Sequence, residues 1–311
     1  MKHSKNQAFT IALIIVLLLN TFFSYGQRVT EQSNQNYVIT SIHDIENVQK
    51  HYAELQTLDD TPRPQFAWMD TIAYPPELYK NNTLLFALVK PEYLNSEQVD
   101  YLVKSVKFPA NSSEQTRTEL DYLLKLQQSR TEKQIERVLF LAKIGYWPDA
   151  NYVSSHKYYK KNLENLFFEL HEVIGNEVSA ENYPHTSKLL QGVMNDMRLM
   201  EFAVKYNLLR ARPYQLESKL EPLKKINSPS FTSGHTLWAY IQAYTLAELI
   251  PEKRQDFIDL AYEIGESREI MGVHYPSDEE VARQLAHRML MLMWHTDKFQ
   301  RDFINAGTEW E

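Results

Sequence analysis

Cysteine is absent from the 311-residue chain. Disulfides, thiolate metal sites and a cysteine nucleophile are therefore excluded. Glycine is scarce, eight in all, which leaves few places for tight hairpin turns. No run alternates apolar and polar residues over a strand's length, so the half-buried strand pattern is missing. Basic excess is missing too: Lys and Arg number 33 against 40 Asp and Glu, for a net charge of −7. Nucleic-acid binding leans on clustered phosphate-neutralising cations and is not expected here. Beyond the N-terminal segment no stretch is apolar for long enough to cross a bilayer, so no membrane span is expected in a mature chain. There is no internal repeat and no low-complexity segment.

What is present begins with that N-terminal segment. Lys2, His3 and Lys5 make a basic start, and Ala8 to Leu19 is nearly all apolar. Ser24, Tyr25 and Gly26 follow, with small residues where a signal peptidase would cut. The expectation is a signal peptide over 1–26, a mature chain from Gln27, and a periplasmic or secreted location. Loss of Lys2 and Lys5 would take the net charge from −7 to −9. With no cysteine after it, a lipoprotein anchor is not expected.

Residues 27–95 read as an irregular, partly helical N-terminal arm. Ser41 to Leu58 suits a short amphipathic helix, and Pro62, Pro64, Pro75, Pro76 and Pro91 break anything longer. Asn81-Asn82-Thr83 and Asn111-Ser112-Ser113 match the glycosylation triplet. From residue 96 the pattern is helical to the end, and the fold class expected over 96–311 is all-α. Ser96 is expected to cap a helix running to about Val106. Ser112-x-x-Gln115 and Thr131-x-x-Gln134 read as capping boxes, opening two helices or one helix kinked near Ser129. Trp147-Pro148-Asp149 reads as a turn. Leu163 to Ile174, Ser187 to Leu208, Gly234 to Leu249, Arg254 to Ile270 and Pro276 to His295 complete the helical set.

Three motifs carry the chemistry. In the first, Lys205-x6-Arg212-Pro213, the cations lie nearly two helical turns apart and would share a face. Pro213 would make Arg212 the frayed end of that helix. Both could then reach one anion, the lysine as a point charge and the arginine as a planar fork. The plainer reading is a basic helix end favoured by the dipole. In the second, Ser233-Gly234-His235, a polar loop opens an apolar helix. Gly234 would let the backbone approach a ligand, and the helix N-terminus would offer amides to an anion. The plainer reading is a helix cap with an incidental histidine. In the third, Ser267-Arg268-x5-His274-x3-Asp278, Pro276 starts a helix and Asp278 falls in its first turn, within reach of His274. A carboxylate on one ring nitrogen fixes the tautomer and frees the other to attack. The plainer reading is a first-turn acid and a loop histidine. His156, His171, His185, His287 and His295 show no pairing at metal-ligand spacing.

Together the motifs resemble the signature of the type-2 phosphatidic acid phosphatase superfamily, which includes the class A non-specific acid phosphatases and the vanadium-dependent haloperoxidases. Lys-x6-Arg-Pro, Ser-Gly-His and Ser-Arg-x5-His-x3-Asp all occur in order, with Thr232 where the family usually has proline. The resemblance covers about 205–278 and implies the family's helical bundle. It also implies roles. His274 would be the nucleophile, oriented by Asp278. His235 would be the general acid and then the base. Lys205, Arg212 and Arg268 would hold the phosphoryl oxygens, with Ser233 and Gly234 adding hydrogen bonds. No metal or other cofactor is implied.

The function expected is that of an exported, metal-independent acid phosphatase acting on small phosphate monoesters through a phosphohistidine. A vanadium-dependent haloperoxidase would use the same oxyanion site, but such chains are typically much longer. The family's membrane lipid phosphatases carry several spanning helices. A mere phosphate binder would not need His235, His274 and Asp278.

Overall fold

The computed structural model describes residues 50–79, 84–142 and 171–311. The expected signal peptide, Asn81, His156, the turn at Trp147 and residues 163–170 of the helix expected from Leu163 lie outside the described residues. The first helix is α1 (Lys50–Leu55), followed by short 3-10 turns at Pro64–Thr71, Pro76–Leu78 and Leu85–Leu88. Then come α2 (Ser96–Ser105), α3 (Glu114–Ser129), α4 (Glu132–Leu141), α5 (His171–Ile174), α6 (Pro184–Leu208), α7 (Pro213–Leu216), α8 (Gly234–Leu249), α9 (Arg254–Ile270), α10 (Pro276–Trp294) and α11 (Asp297–Gly307). No strand forms among the described residues; a single isolated bridge pairs Ala73 with Arg210. The protein is all-α, as the missing strand pattern implied. No described helix is long and apolar enough to cross a membrane.

Side-chain caps open α2, α3, α4 and α8. Asn95, rather than Ser96, caps α2 by accepting from the Gln98 amide at 2.9 Å. At α3 the cap is Ser113, not Ser112, because the Ser112 hydroxyl donates to Asp70 at 2.5 Å. Thr131 and Gln134 form the expected capping box of α4, and Arg130, in an extended conformation, separates it from α3. Asn111 donates both amide hydrogens inward, to the carbonyls of Met69 at 2.9 Å and Ile72 at 2.8 Å. That use of the side chain leaves the folded triplet at Asn111 unsuited to carry a glycan.

The core is built around α8. Thirteen of its residues, from Gly234 to Ala247, are buried on every face, as befits a helix enclosed by others rather than an amphipathic surface helix. It packs against α6, α9 and α10. Helix α6 is also largely buried and is fixed at both ends of the described chain. Glu309 accepts from the Thr186 amide and hydroxyl at 2.8 and 2.7 Å, at the first turn of α6. Midway, Asp196 collects the amides of Glu92, Tyr93 and Leu94 at 2.5–2.8 Å. These contacts hold the segment before α2 against the helix that carries Lys205.

Candidate functional site

The geometry is set where α6 stops. A single helix through Lys205 and Arg212 is not what forms. Leu209 adopts a left-handed conformation, φ 52°, and closes α6 at Leu208. Arg210 leaves the helix and pairs with Ala73, and Arg212 becomes the extended residue before the one-turn helix α7. The two cations therefore converge across a bend rather than along one face. The extended backbone of Arg212 is what the following proline imposes.

At the start of α10 the carboxylate of Asp278 is a hub. Its Oδ2 accepts from His274 Nδ1 at 3.0 Å, Ser230 Oγ at 2.5 Å and the Tyr275 amide at 3.2 Å. Its Oδ1 accepts from Arg210 Nη1 at 2.7 Å. Burial alone would raise its pKa, but Arg210, the His274 hydrogen bond and the Ser230 hydroxyl together hold it well below the usual carboxylate range. An ionised carboxylate only accepts, so His274 carries its proton on Nδ1. Its Nε2 then presents a lone pair, and Arg212 Nη1, which can only donate, lies 2.9 Å from it. Burial, and then the nearby Arg212, keep the His274 pKa well below its ordinary value despite the pull of Asp278. The lowered pKa favours the neutral ring, with its lone pair on Nε2.

Arg212 is itself held by the Val273 carbonyl at 2.7 Å, the Ser228 carbonyl at 2.9 Å and the Ser228 hydroxyl at 3.2 Å. Lys205 donates to the carbonyls of Pro229, Ser230 and Thr232 at 2.9, 3.1 and 2.6 Å. It thus shapes the loop that enters α8, a role its spacing in the chain did not suggest. Burial and then Arg212 bring its pKa down to about 7. Thr232 supplies a carbonyl here, which proline would supply equally.

Ser233 caps α8. Its hydroxyl accepts from the Thr236 amide at 3.4 Å and donates to the Thr236 hydroxyl at 3.0 Å, which in turn donates to Glu279. The expected reason for Gly234 was ligand approach. The structure gives a second one: a Cβ there would lie 2.1 Å from Glu201 Oε1. His235 follows, partly exposed, with a hydrogen bond to the backbone of Ala142. Burial of the ring, and then the charges of Arg268 and His274, hold its pKa well below the ordinary value. Arg268 is buried near the end of α9, with Nη1 3.1 Å from Met271 Sδ. Lys205, Arg212, Ser233, Gly234, His235, His274 and Asp278 thus lie at or beside the junction of α6, the α8 N-terminus and the α10 N-terminus, and the charge of Arg268 acts on His235 from the end of α9. Among the described residues no group of three or more metal-ligating side chains forms.

Sequence reasoning missed Arg210, Glu119 and Ser230. Arg210 and Glu119 form a fully buried pair at 3.4 Å. Glu119 also accepts from the Ser277 amide and hydroxyl at 3.1 and 2.9 Å. Arg210 stands two before Arg212, a spacing that by itself does not separate it from a solvated basic end.

The family model of the PAP2 superfamily matches residues 187–302, a stretch that contains all three motifs. A non-specific acid phosphatase of Providencia stuartii is 28% identical over 144 residues, 44% of this chain and 58% of that protein. A non-specific acid phosphatase of Salmonella typhi is 30% identical over 157 residues, 48% of this chain and 62% of that protein. The matched segments thus span roughly three-fifths of those relatives. The crystal structure described as the first bacterial vanadium-dependent iodoperoxidase superposes with a TM-score of 0.53 over 74% of this chain and 63% of that one, at 18% identity. That likeness shows the fold.

Proposed function

The chain is related to the PAP2 superfamily, and from this premise we propose that it is an exported, metal-independent acid phosphatase hydrolysing small phosphate monoesters through a phosphohistidine. The observation that carries the reading is the polarised imidazole: Asp278 accepts a hydrogen bond from Nδ1–H of His274 at 3.0 Å, and Arg212 marks the lone pair on Nε2 at 2.9 Å.

In the first half-reaction His274 Nε2 attacks phosphorus and the bond to the ester oxygen breaks. His235 gives its proton to the departing alkoxide. Arg212 passes its N–H from Nε2 to a phosphoryl oxygen, and Arg268 and Lys205 add positive charge. In the second half-reaction His235 takes a proton from water, the water oxygen attacks phosphorus, and the phosphorus–nitrogen bond breaks. Phosphate leaves, and His274 returns to the neutral Nδ1–H form. Preorganised donors aimed at developing negative charge are the largest expected source of acceleration. The buried cations Lys205, Arg212 and Arg268 are the kind of groups that supply it without a divalent ion. A phosphate dianion would raise the low pKa of His235, so substrate itself would load the general acid. The basic-then-apolar N-terminal segment supports export.

The test is a panel of phosphate monoesters assayed with and without EDTA, beside a bromide oxidation assay on vanadate-loaded protein. Hydrolysis that survives EDTA and is inhibited by vanadate is the expected result. Bromide oxidation without ester hydrolysis overturns the reading.

A further inference from the structure

One class of buried charge is left unused by the proposed chemistry. Arg210 is the clearest. It is almost wholly buried, and its guanidinium is bound by Asp278, Ser277 and Glu119 rather than by the loop that Lys205 shapes. Its Nη1 donates to Asp278 Oδ1 at 2.7 Å and to Ser277 Oγ at 2.8 Å, and its Nη2 faces Glu119 Oε2 at 3.4 Å. The guanidinium lies over the Tyr275 ring, 3.8 Å from its centroid, with Phe108 5.0 Å away. Its backbone is held by the bridge to Ala73 and by the Ser230 amide, which donates to the Arg210 carbonyl at 2.9 Å.

We propose that Arg210 is a positioning residue: it holds the Asp278 carboxylate ionised and in plane, and through it sets the His274 tautomer that leaves Nε2 free to attack. This rests on the proposed phosphatase reading only for its activity readout. The physical reason lies in the division of labour on Asp278. The three donors on Oδ2 orient the group, but only Arg210, on Oδ1, brings a permanent full charge directly onto it. A carboxylate as buried as Asp278 otherwise favours its neutral form. Once protonated it could donate to Nδ1 instead of accepting from it. The imidazole would then carry its proton on Nε2 and lose the attacking lone pair. Glu119 and Ser277 complete the device by fixing the far side of the guanidinium, so that Arg210 is not drawn toward substrate.

The charged and titratable groups that face Asp278 are several. Arg210 and Arg212 come from the segment after α6, Lys205 from α6, and His274 and Tyr275 from the entry to α10. Glu119 comes from α3 and Glu279 from α10. Of these, Arg210 is the largest influence that holds the proton off Asp278. The two acids work against it. Removing Arg210 therefore leaves Asp278 facing Glu119 and Glu279 with its strongest counter-charge gone.

The experiment compares Arg210→Gln and Arg210→Lys with the full wild-type chain. For Arg210→Gln the expected results are a fall in kcat on the order of 10–100-fold, as when an outer partner of an active group is lost, with KM little changed. The acid limb of the kcat profile should move up by about 1–3 pH units, and Arg210→Lys should recover part of both effects. Inorganic phosphate should still bind the Gln variant. An unshifted acid limb in a folded Arg210→Gln protein overturns the proposal, as does a KM that rises in step with the loss of phosphate binding. Should the Gln variant not fold, the Lys variant decides by the same acid limb, with a smaller shift expected and none overturning it. If the wild type shows no phosphatase activity, the functional reading fails alone. The ¹⁵N signals of His274 then decide for Arg210: an Nδ1–H tautomer in wild type that is lost in the variant supports it, and an unchanged tautomer overturns it.

Discussion

Arg212 Nη1 sits 2.9 Å from His274 Nε2, on the one ring nitrogen that Asp278 leaves free. An attacking nitrogen cannot keep that hydrogen bond while it forms a bond to phosphorus. On the proposed mechanism the arginine would transfer this N–H to a phosphoryl oxygen while its bonds to the Val273 and Ser228 carbonyls hold the guanidinium in place. Lysine has three donors but no rigid planar fork, so it would not keep these carbonyls and present a fixed N–H to an oxyanion in the same geometry. Arg212→Lys should therefore lower kcat by about 10²–10³-fold, the scale seen when one oxyanion donor is removed. Steady-state kinetics on a nitrophenyl ester checks it, and a loss under about threefold would contradict the role.

Glu119 gives a stability prediction with a definite sign. Burial pushes its pKa up to about 7 from an ordinary 4.5, against the pull of Arg210 and Ser277. The folded state then holds this proton more tightly than the unfolded chain does. The group's contribution is most favourable below about pH 4.5 and is lost as pH rises through about 7. His235 and His274, with pKa values lowered by burial, act in the opposite direction below their ordinary value of 6.5, so the effect is read as a difference. Denaturant unfolding of wild type and Glu119→Gln should show the variant gaining on wild type by about 1–3 kcal/mol between pH 5 and 8. A pH-independent difference would contradict it.

Local signals in the chain were read well where one residue decides the backbone. Pro276 at the first position of α10 and Ser233 ahead of α8 placed both helix starts, and with them His274, Asp278 and His235. The signals ran out where the deciding partner is far along the chain. Nothing near Leu209 marks it as the residue that turns left-handed and splits Lys205 from Arg212. Arg210 is one of three basic residues within eight positions, and only a carboxylate 68 residues away distinguishes it from a solvated end. The choice of Ser113 over Ser112 as a cap likewise depends on Asp70, 42 residues earlier.

Gly234 tests a packing claim rather than a chemical one. Glu201 Oε1 occupies the space a Cβ would need, 2.1 Å from its ideal position. Gly234→Ala should destabilise the fold by about 1–3 kcal/mol, the cost of forcing atoms into a filled core. Adding Glu201→Ala should recover part of that loss by vacating the space, while Glu201→Ala alone should not stabilise. Thermal unfolding of the three variants checks the coupling, and strict additivity would show that Glu201 is not the obstacle.

The two histidines should fail in different ways. His274 is the group with a free, neutral ring nitrogen, so His274→Ala should abolish turnover and the acid-labile phosphoenzyme for every ester. His235 should supply a proton to the leaving oxygen, and the value of that proton depends on the leaving group. For an alkyl ester, whose alkoxide departs poorly, His235→Ala should cost about 10²–10⁴-fold, the usual worth of general acid–base help. For a nitrophenyl ester the leaving oxygen is already a weak base. Phosphoenzyme should then still form in His235→Ala, but it should persist, because no base remains to activate the water that hydrolyses it. Rapid-quench trapping with nitrophenyl phosphate separates the cases. Accumulation in the His235 variant and none in the His274 variant is the expected pattern. The reverse pattern would exchange the two roles, and full activity in both variants would mean that neither ring touches the reacting phosphorus.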